Sequence, residues 1–160
     1  MRTLIAYRSK YGTTAACART LAAKIGKGAA LADLADAGDV DVREYDVVLI
    51  GGSIYAGKIQ GKVVSFCEKN RDALLRRRVG LFLCCLYQGE EAQVQLQSVF
   101  PDWALAHSFA RALPGGEIHY NKLSFFDRLL LRGLPSPAGD LTRMRPQALD
   151  ELAAAVTSAS

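Results

Sequence analysis

Two short segments of this sequence, Asp46–Gly51 (DVVLIG) and Val79–Cys85 (VGLFLCC), are apolar without alternation. Successive side chains of a strand point to opposite sides, so a strand with one wet face alternates apolar and polar residues. A strand that is apolar on both sides is buried on both sides, as in a parallel sheet covered by helices. Arg2–Tyr7 (RTLIAY) is a third, shorter run of this kind. Parallel neighbours cannot be joined by a tight turn; each pair needs a crossover, usually a helix.

The intervening segments supply those crossovers. Thr14–Ile25 places Cys17, Ala18, Leu21, Ala22 and Ile25 at helical spacing, and Gly26 and Gly28 follow as a helix end prefers. Lys62–Leu75 reads as a second helix, with Val63, Phe66, Cys67 and Leu74 inward. Glu90–Phe100 fits two patterns, an alternating strand at 93–97 or a helix through Ala92, Leu96, Val99 and Phe100. The need for a crossover selects the helix. Ala29–Leu34 is a weak edge strand, and His107–Leu113 is the fifth strand. Lys122–Leu131 reads as a helix and Leu134–Arg145 as a loop. Pro146 opens a terminal helix reaching about Val156.

The expected fold is therefore α/β, a single domain over residues 1–160 with a doubly wound five-stranded parallel sheet. A dinucleotide-binding version needs G-x-G-x-x-G after the first strand, and that motif is absent. The flavodoxin-like strand order 2-1-3-4-5 is the expectation.

Composition narrows the function. The net charge is +4, with Lys and Arg scattered except at Arg76–Arg78. A nucleic-acid surface would gather its cations into a stripe, so no nucleic-acid partner is expected. The triplet reads as a solvated helix end. The four cysteines (Cys17, Cys67, Cys84, Cys85) show no C-x-x-C spacing, and only His107 and His119 accompany them. No zinc site is expected. The cysteines lie in apolar segments, where buried reduced thiols suit a cytoplasmic location. The N-terminal run is too short for a signal peptide, and no stretch approaches the roughly 18 apolar residues of a spanning helix.

Ligands of a doubly wound sheet bind beyond the C-terminal ends of its strands. Three loops belong there. The first contains Ser9, Lys10, Tyr11, Gly12, Thr13 and Thr14. Backbone N–H groups at a helix start converge on a phosphate, helped by the helix dipole. Ser9, Thr13 and Thr14 add hydroxyls, Lys10 a charge, and Gly12 a turn without a Cβ clash. An ordinary turn with a Thr cap would also explain the loop. The second holds Ser53, Ile54, Tyr55, Ala56 and Gly57, where Tyr55 is a candidate ring for stacking on a flat heterocycle. The third holds Cys85, Leu86, Tyr87 and Gln88, with Tyr87 a second such ring and Gln88 a hydrogen-bonding group. A phosphate cradle with two walls for a planar ring suits FMN. His107 reads as structural within strand five, and His119 as a rim residue near a substrate.

The segments RTLIAYRSKYGTT, YDVVLIGGSIYAGK and GLFLCCLYQG resemble the flavodoxin family over essentially the whole chain. Ser9, Gly12 and Thr14 match its Ser/Thr-x-x-Gly-x-Thr pattern. GGSIYAGK, ARALP, FFDRLLLRG and GDLTR resemble more closely the menaquinone-dependent protoporphyrinogen oxidases. The resemblance implies FMN at the three loops and a redox partner or a quinone- or porphyrin-like substrate. Lys10 and Tyr11 stand where electron carriers have small hydroxyl residues. The last helix lacks the Thr-Asp-Trp opening of the oxidases.

Three functions stay open: an FMN-dependent oxidoreductase, a small electron shuttle, and a module that keeps the fold without flavin. Shuttle flavodoxins resemble acidic proteins docking on basic partners, so a net +4 weighs against that role. It suits an anionic substrate or an anionic membrane surface. Residues 122–133 are a candidate interfacial helix, with Phe125, Phe126, Leu129 and Leu130 apolar and Lys122, Arg128 and Arg132 basic. A helix packed into the core explains the same residues.

Overall fold

The computed structural model describes residues 1–130 and 140–158. Its central sheet contains β1 (Thr3–Tyr7), β2 (Ala29–Asp33), β3 (Val47–Tyr55), β5 (Arg78–Cys84) and β6 (Ala110–Ala112). These strands are parallel, in the order β2-β1-β3-β5-β6. A short β4 (Lys58–Ile59) turns back antiparallel on β3. Counting parallel strands alone, the order is the expected 2-1-3-4-5.

Helices cover both faces. α1 (Thr13–Ile25) and α7 (Pro146–Thr157) pack against one face. α2 (Gly61–Lys69), α3 (Arg71–Leu74), α4 (Gly89–Val99) and α5 (Asp102–His107) pack against the other. The strands divide their side chains between the two cores. Val47, Leu49, Phe82 and Cys84 join α1 and α7, while Val48, Ile50, Leu81, Leu83 and Cys85 join the second layer. That division is why β3 and β5 lack alternation in sequence.

Several elements depart from expectation. β3 runs on to Tyr55 and makes a hairpin through Ala56 (φ 48°) and Gly57 (φ 75°), the left-handed pair of a two-residue turn. The helix expected over Lys62–Leu75 breaks at Asn70 (φ −106°), whose side chain donates to Phe66 O at 2.9 Å. The strand expected over His107–Leu113 is only Ala110–Ala112, because Pro101 starts α5 and carries it through His107. His107 is structural all the same: its Nε2 lies 2.8 Å from Arg77 O. Residues 141–144 are not loop. They form β8 (Leu141–Met144), antiparallel to β7 (Gly115–Ile118) in a separate two-stranded sheet. α6 (Phe125–Leu130) occupies the centre of the helix expected at Lys122–Leu131. Leu131, Arg132, Gly133 and the 134–139 part of the expected loop lie outside the described residues.

The ring of Phe82 fills the space above Gly51 on the neighbouring strand, so a Cβ at Gly51 would collide with it. Phe82 is fully buried and has nowhere to move. Gly51→Ala is expected to destabilise the fold by about 1–3 kcal/mol, the usual cost of overpacking. Gly57→Ala, with open space at its Cβ position, is expected to cost only the strain of its positive φ. Urea denaturation of both variants checks the ranking.

Candidate functional site

The three loops converge. Tyr11, Thr13 and Thr14 line one cavity together with Ser53, Ile54, Tyr55, Ala56 and Gly57, and with Cys85, Leu86 and Tyr87. Its volume is about 560 Å³, within the range of small-molecule sites. The cavity opens beyond the C-terminal ends of β1, β3 and β5, where the strand order changes direction. Ser9, Lys10, Gly12 and Gln88 are not among its lining residues.

Ser9 and Gly12 instead shape the first loop. Gly12 takes φ 102° immediately before α1 and donates its N–H to Ser9 Oγ at 3.0 Å. The first helical hydrogen bond is from Ala16 N to Gly12 O, at 2.9 Å. Earlier N–H groups of a helix have no acceptor within it. Thr14 is 1 % exposed, and its Oγ1 has no hydrogen-bond partner among the described residues. Its polar neighbour is the Cys84 thiol, which the hydroxyl favours in its charged form. Tyr11 Oη and Gln95 Oε1 are likewise buried without partners, and both residues line the cavity. Leaving a buried polar atom unmade costs about 1–3 kcal/mol, so three at one cavity are a built-in demand for a polar ligand.

Lys10 is committed elsewhere. Its Nζ lies 3.2 Å from the Asp127 carboxylate and 3.4 Å from the centre of the Tyr55 ring. Asp127, on α6, is 3 % exposed. One ammonium thus ties the first loop to the β3–β4 hairpin and to α6. It also occupies one face of Tyr55, the ring expected to stack on a heterocycle. Tyr87 is free of such a contact and exposed. Gln88 precedes α4 and makes no side-chain cap.

A fourth wall adds residues of which sequence reasoning places only His119 at the rim. Gly116, Glu117, Ile118, His119 and Tyr120 reach the cavity from β7 and its end, and Leu141 and Arg143 from β8. Arg143 Nη1 donates to Leu86 O at 3.2 Å, which joins this sheet to the third loop. A Cβ at Gly116 would press on the backbone of Cys85, so glycine permits the close approach. His119 stands between two carboxylates, 3.1 Å from Asp140 through Nδ1 and 3.1 Å from Glu117 through Nε2. Asp140 also accepts the Tyr120 N–H at 3.0 Å. The bond to Asp140, then that to Glu117, raises the imidazole above its usual range, and His119 lowers Asp140. The short alternating stretch at 117–119 was the available signal for this sheet.

A family model described as a flavodoxin domain matches residues 4–144. No curated protein matches the chain. Among solved structures, a short-chain flavodoxin associated with a bacterial microcompartment matches with a TM-score of 0.63 and 14% identity, covering 100% of both chains. A flavodoxin of Streptococcus pneumoniae matches with a TM-score of 0.61 and 14% identity, again covering 100% of each. A flavoprotein of Lactobacillus acidophilus, solved in complex with FMN, matches with a TM-score of 0.53 and 17% identity, over 72% of this chain and 92% of that one. At such identities the likeness is one of fold.

The His119 cluster makes a pH prediction. A raised imidazole contributes stability that is complete below its unfolded pKa and fades as pH rises through the folded one. The lowered Asp140 contributes stability above its unfolded pKa, lost as pH falls through the folded one. The link between β7 and β8 is therefore tightest between the carboxylate and the imidazole ranges. By NMR, His119 is expected to titrate above 6.5. Asp140→Asn is expected to bring the midpoint down; an unmoved midpoint would refute the pairing.

Proposed function

This chain belongs to the flavodoxin-domain family, and from that premise we propose that the rim cavity binds FMN and serves flavin-mediated electron transfer. The observation that carries the reading is the Thr14 hydroxyl, buried beside the start of α1 without a hydrogen-bond partner among the described residues, on a residue that lines the same cavity as Tyr11 and Tyr87. Three groups of residues fit the cofactor. Thr13, Thr14 and the first N–H groups of α1 would take the phosphate, on a loop that Ser9, Lys10, Tyr11 and Gly12 hold in shape. Ser53–Gly57 and Cys85–Gln88 would border the ring system.

When bound, the flavin supplies one- or two-electron chemistry at N5, and the protein supplies position and electrostatics. The Lys10 charge is matched by Asp127. The phosphate would therefore rest on neutral donors and the positive end of the helix. The backbone of 53–57 and 85–88 would orient the ring edge. The β7–β8 wall would exclude water from that side, with His119 holding a proton at Nδ1 or Nε2.

For the partner we assign a quinone- or porphyrin-type substrate, as in the protoporphyrinogen oxidases. The net charge of +4 suits an anionic substrate better than shuttle docking. Contact with a membrane surface would run through α6. Phe125 and Phe126 are 73% and 76% exposed, and the pairing with Lys10 turns Asp127 inward between them and Arg128. Among the described residues no helix is long and apolar enough to cross a membrane. The four unpaired thiols suit a reducing, cytoplasmic compartment.

Titration with FMN is expected to quench its fluorescence. Thr14→Val should weaken FMN binding roughly tenfold or more, since hydrogen bonds to charged groups are the strong ones. It should leave riboflavin nearly unchanged and should not destabilise the ligand-free fold. Equal loss for both flavins would refute the phosphate role. Separately, sedimentation with vesicles containing anionic lipid is expected to pull down the protein, and the pair Phe125→Asp with Phe126→Asp should abolish this. Absent or unchanged sedimentation would refute membrane contact.

A further inference from the structure

Cys17 and Cys84 lie far apart in the chain, yet their Sγ atoms are 3.7 Å apart. Cys17 sits on α1 one turn beyond Thr14, and Cys84 ends β5. They are 2% and 3% exposed. The strand pleat sends Cys85 to the opposite face. There it shares a core with Cys67, away from the Cys17–Cys84 core. Geometry therefore leaves one cross-element thiol pair among the described residues. Cys84 is also part of the cavity wall, so a small solute in the cavity meets one member of the pair.

The two thiols are not equivalent. The Cys84 S–H donates to Cys17, which holds Cys17 below its usual range against burial and the Glu117 carboxylate. The same bond and burial push Cys84 up. Cys17 is thus the more acidic member and Cys84 the one that holds its proton, an order that favours stepwise oxidation.

We propose that Cys17 and Cys84 form a peroxide-oxidisable dithiol, which closes a reversible disulfide between α1 and β5 beneath the phosphate-binding turn. The pair's thiolate attacks one oxygen of hydrogen peroxide. The O–O bond breaks, and hydroxide leaves and takes a proton. The resulting sulfenic acid is attacked by the partner sulfur, whose proton departs with the second hydroxide as water. Two thiols and one peroxide give one disulfide and two waters: the sulfurs lose two electrons and the peroxide gains them. A low-molecular-weight thiol reverses the step by exchange.

Bringing the sulfurs from 3.7 Å to a bond of about 2 Å draws α1 toward β5. Thr14 lies on that turn and against Cys84, so closure displaces its hydroxyl. Oxidation then weakens FMN, and by linkage FMN slows oxidation. This consequence rests on the flavin reading above; the disulfide does not.

The test uses the full chain without added flavin. It is treated with hydrogen peroxide, denatured, counted for thiols, and mapped by mass spectrometry. Two of the four thiols are expected to vanish, with the mass of two hydrogens lost and one cross-linked peptide joining Cys17 to Cys84. Dithiothreitol should restore all four. Cys67→Ser should still form the Cys17–Cys84 cross-link, whereas Cys17→Ser and Cys84→Ser should form no intrachain cross-link. Four persistent thiols, a cross-link through Cys67 or Cys85, or one between chains would overturn the proposal. The map of the unmutated chain decides even where a Cys variant fails to fold. In the flavin arm, oxidised protein should bind FMN at least fivefold more weakly than reduced protein. Equal affinity would overturn the coupling. A chain that forms the disulfide but binds no FMN in either state would refute the flavin reading alone.

Discussion

Burial of β3 and β5 on both faces is the constraint from which the rest of the molecule follows. Each strand feeds two cores at once, one against α1 and α7 and the other against α2–α5. With both faces covered, the only open ground on the sheet is at its ends. All crossovers in a doubly wound sheet leave from the same end, so the loops after β1, β3 and β5 are forced into one place. The cavity is a product of that topology before any side chain contributes to it. Phe82 shows how little slack remains. Its ring lies over Gly51, just below the Ser53–Gly57 border of the site.

The strands, the first helix and the three loops were legible because their signals are local. DVVLIG and VGLFLCC state their burial residue by residue, and Gly12 with Thr13 and Thr14 marks a turn entering a helix. What escaped reading was set by distant partners. β7 and β8 are only 4 residues each, and neither is a strand without the other. Their pairing brings residues 23 to 29 positions apart into register, from Ile118↔Leu141 to Gly115↔Met144. The length of β6 failed for the opposite reason. Apolar residues near His107 satisfy a strand pattern, but Pro101 and Asp102 start a helix that holds them.

Lys10 illustrates a subtler failure. A cation in a phosphate loop invites assignment to the phosphate. Its nearest anion is instead Asp127, 117 positions away, and no local pattern signals such a pair. Asp127 is nearly buried, so removing Lys10 would strand its charge in a poor solvent for it. The pairing makes α6 a part of the site's frame. It also explains the orientation of that helix: with Asp127 turned inward, Phe125 and Phe126, the two residues before it, face out.

Committing Lys10 to the frame shifts recognition onto uncharged groups. Thr14, Tyr11 and Gln95 each have a buried polar atom with no partner among the described residues, and all three residues belong to the one cavity. A hydroxyl left unpaired works against the empty fold, whereas a salt-bridged lysine supports it. The site is therefore least satisfied where a ligand would arrive and most satisfied where the loops must be held. Neutral donors at a helix start also discriminate by geometry more than by charge, since they reward an acceptor only when it sits on the axis of the first turn. The Cys17–Cys84 pair stands one turn along that same helix. Any movement of α1 against β5 is thus felt first by Thr14, the group whose bonding the fold leaves open.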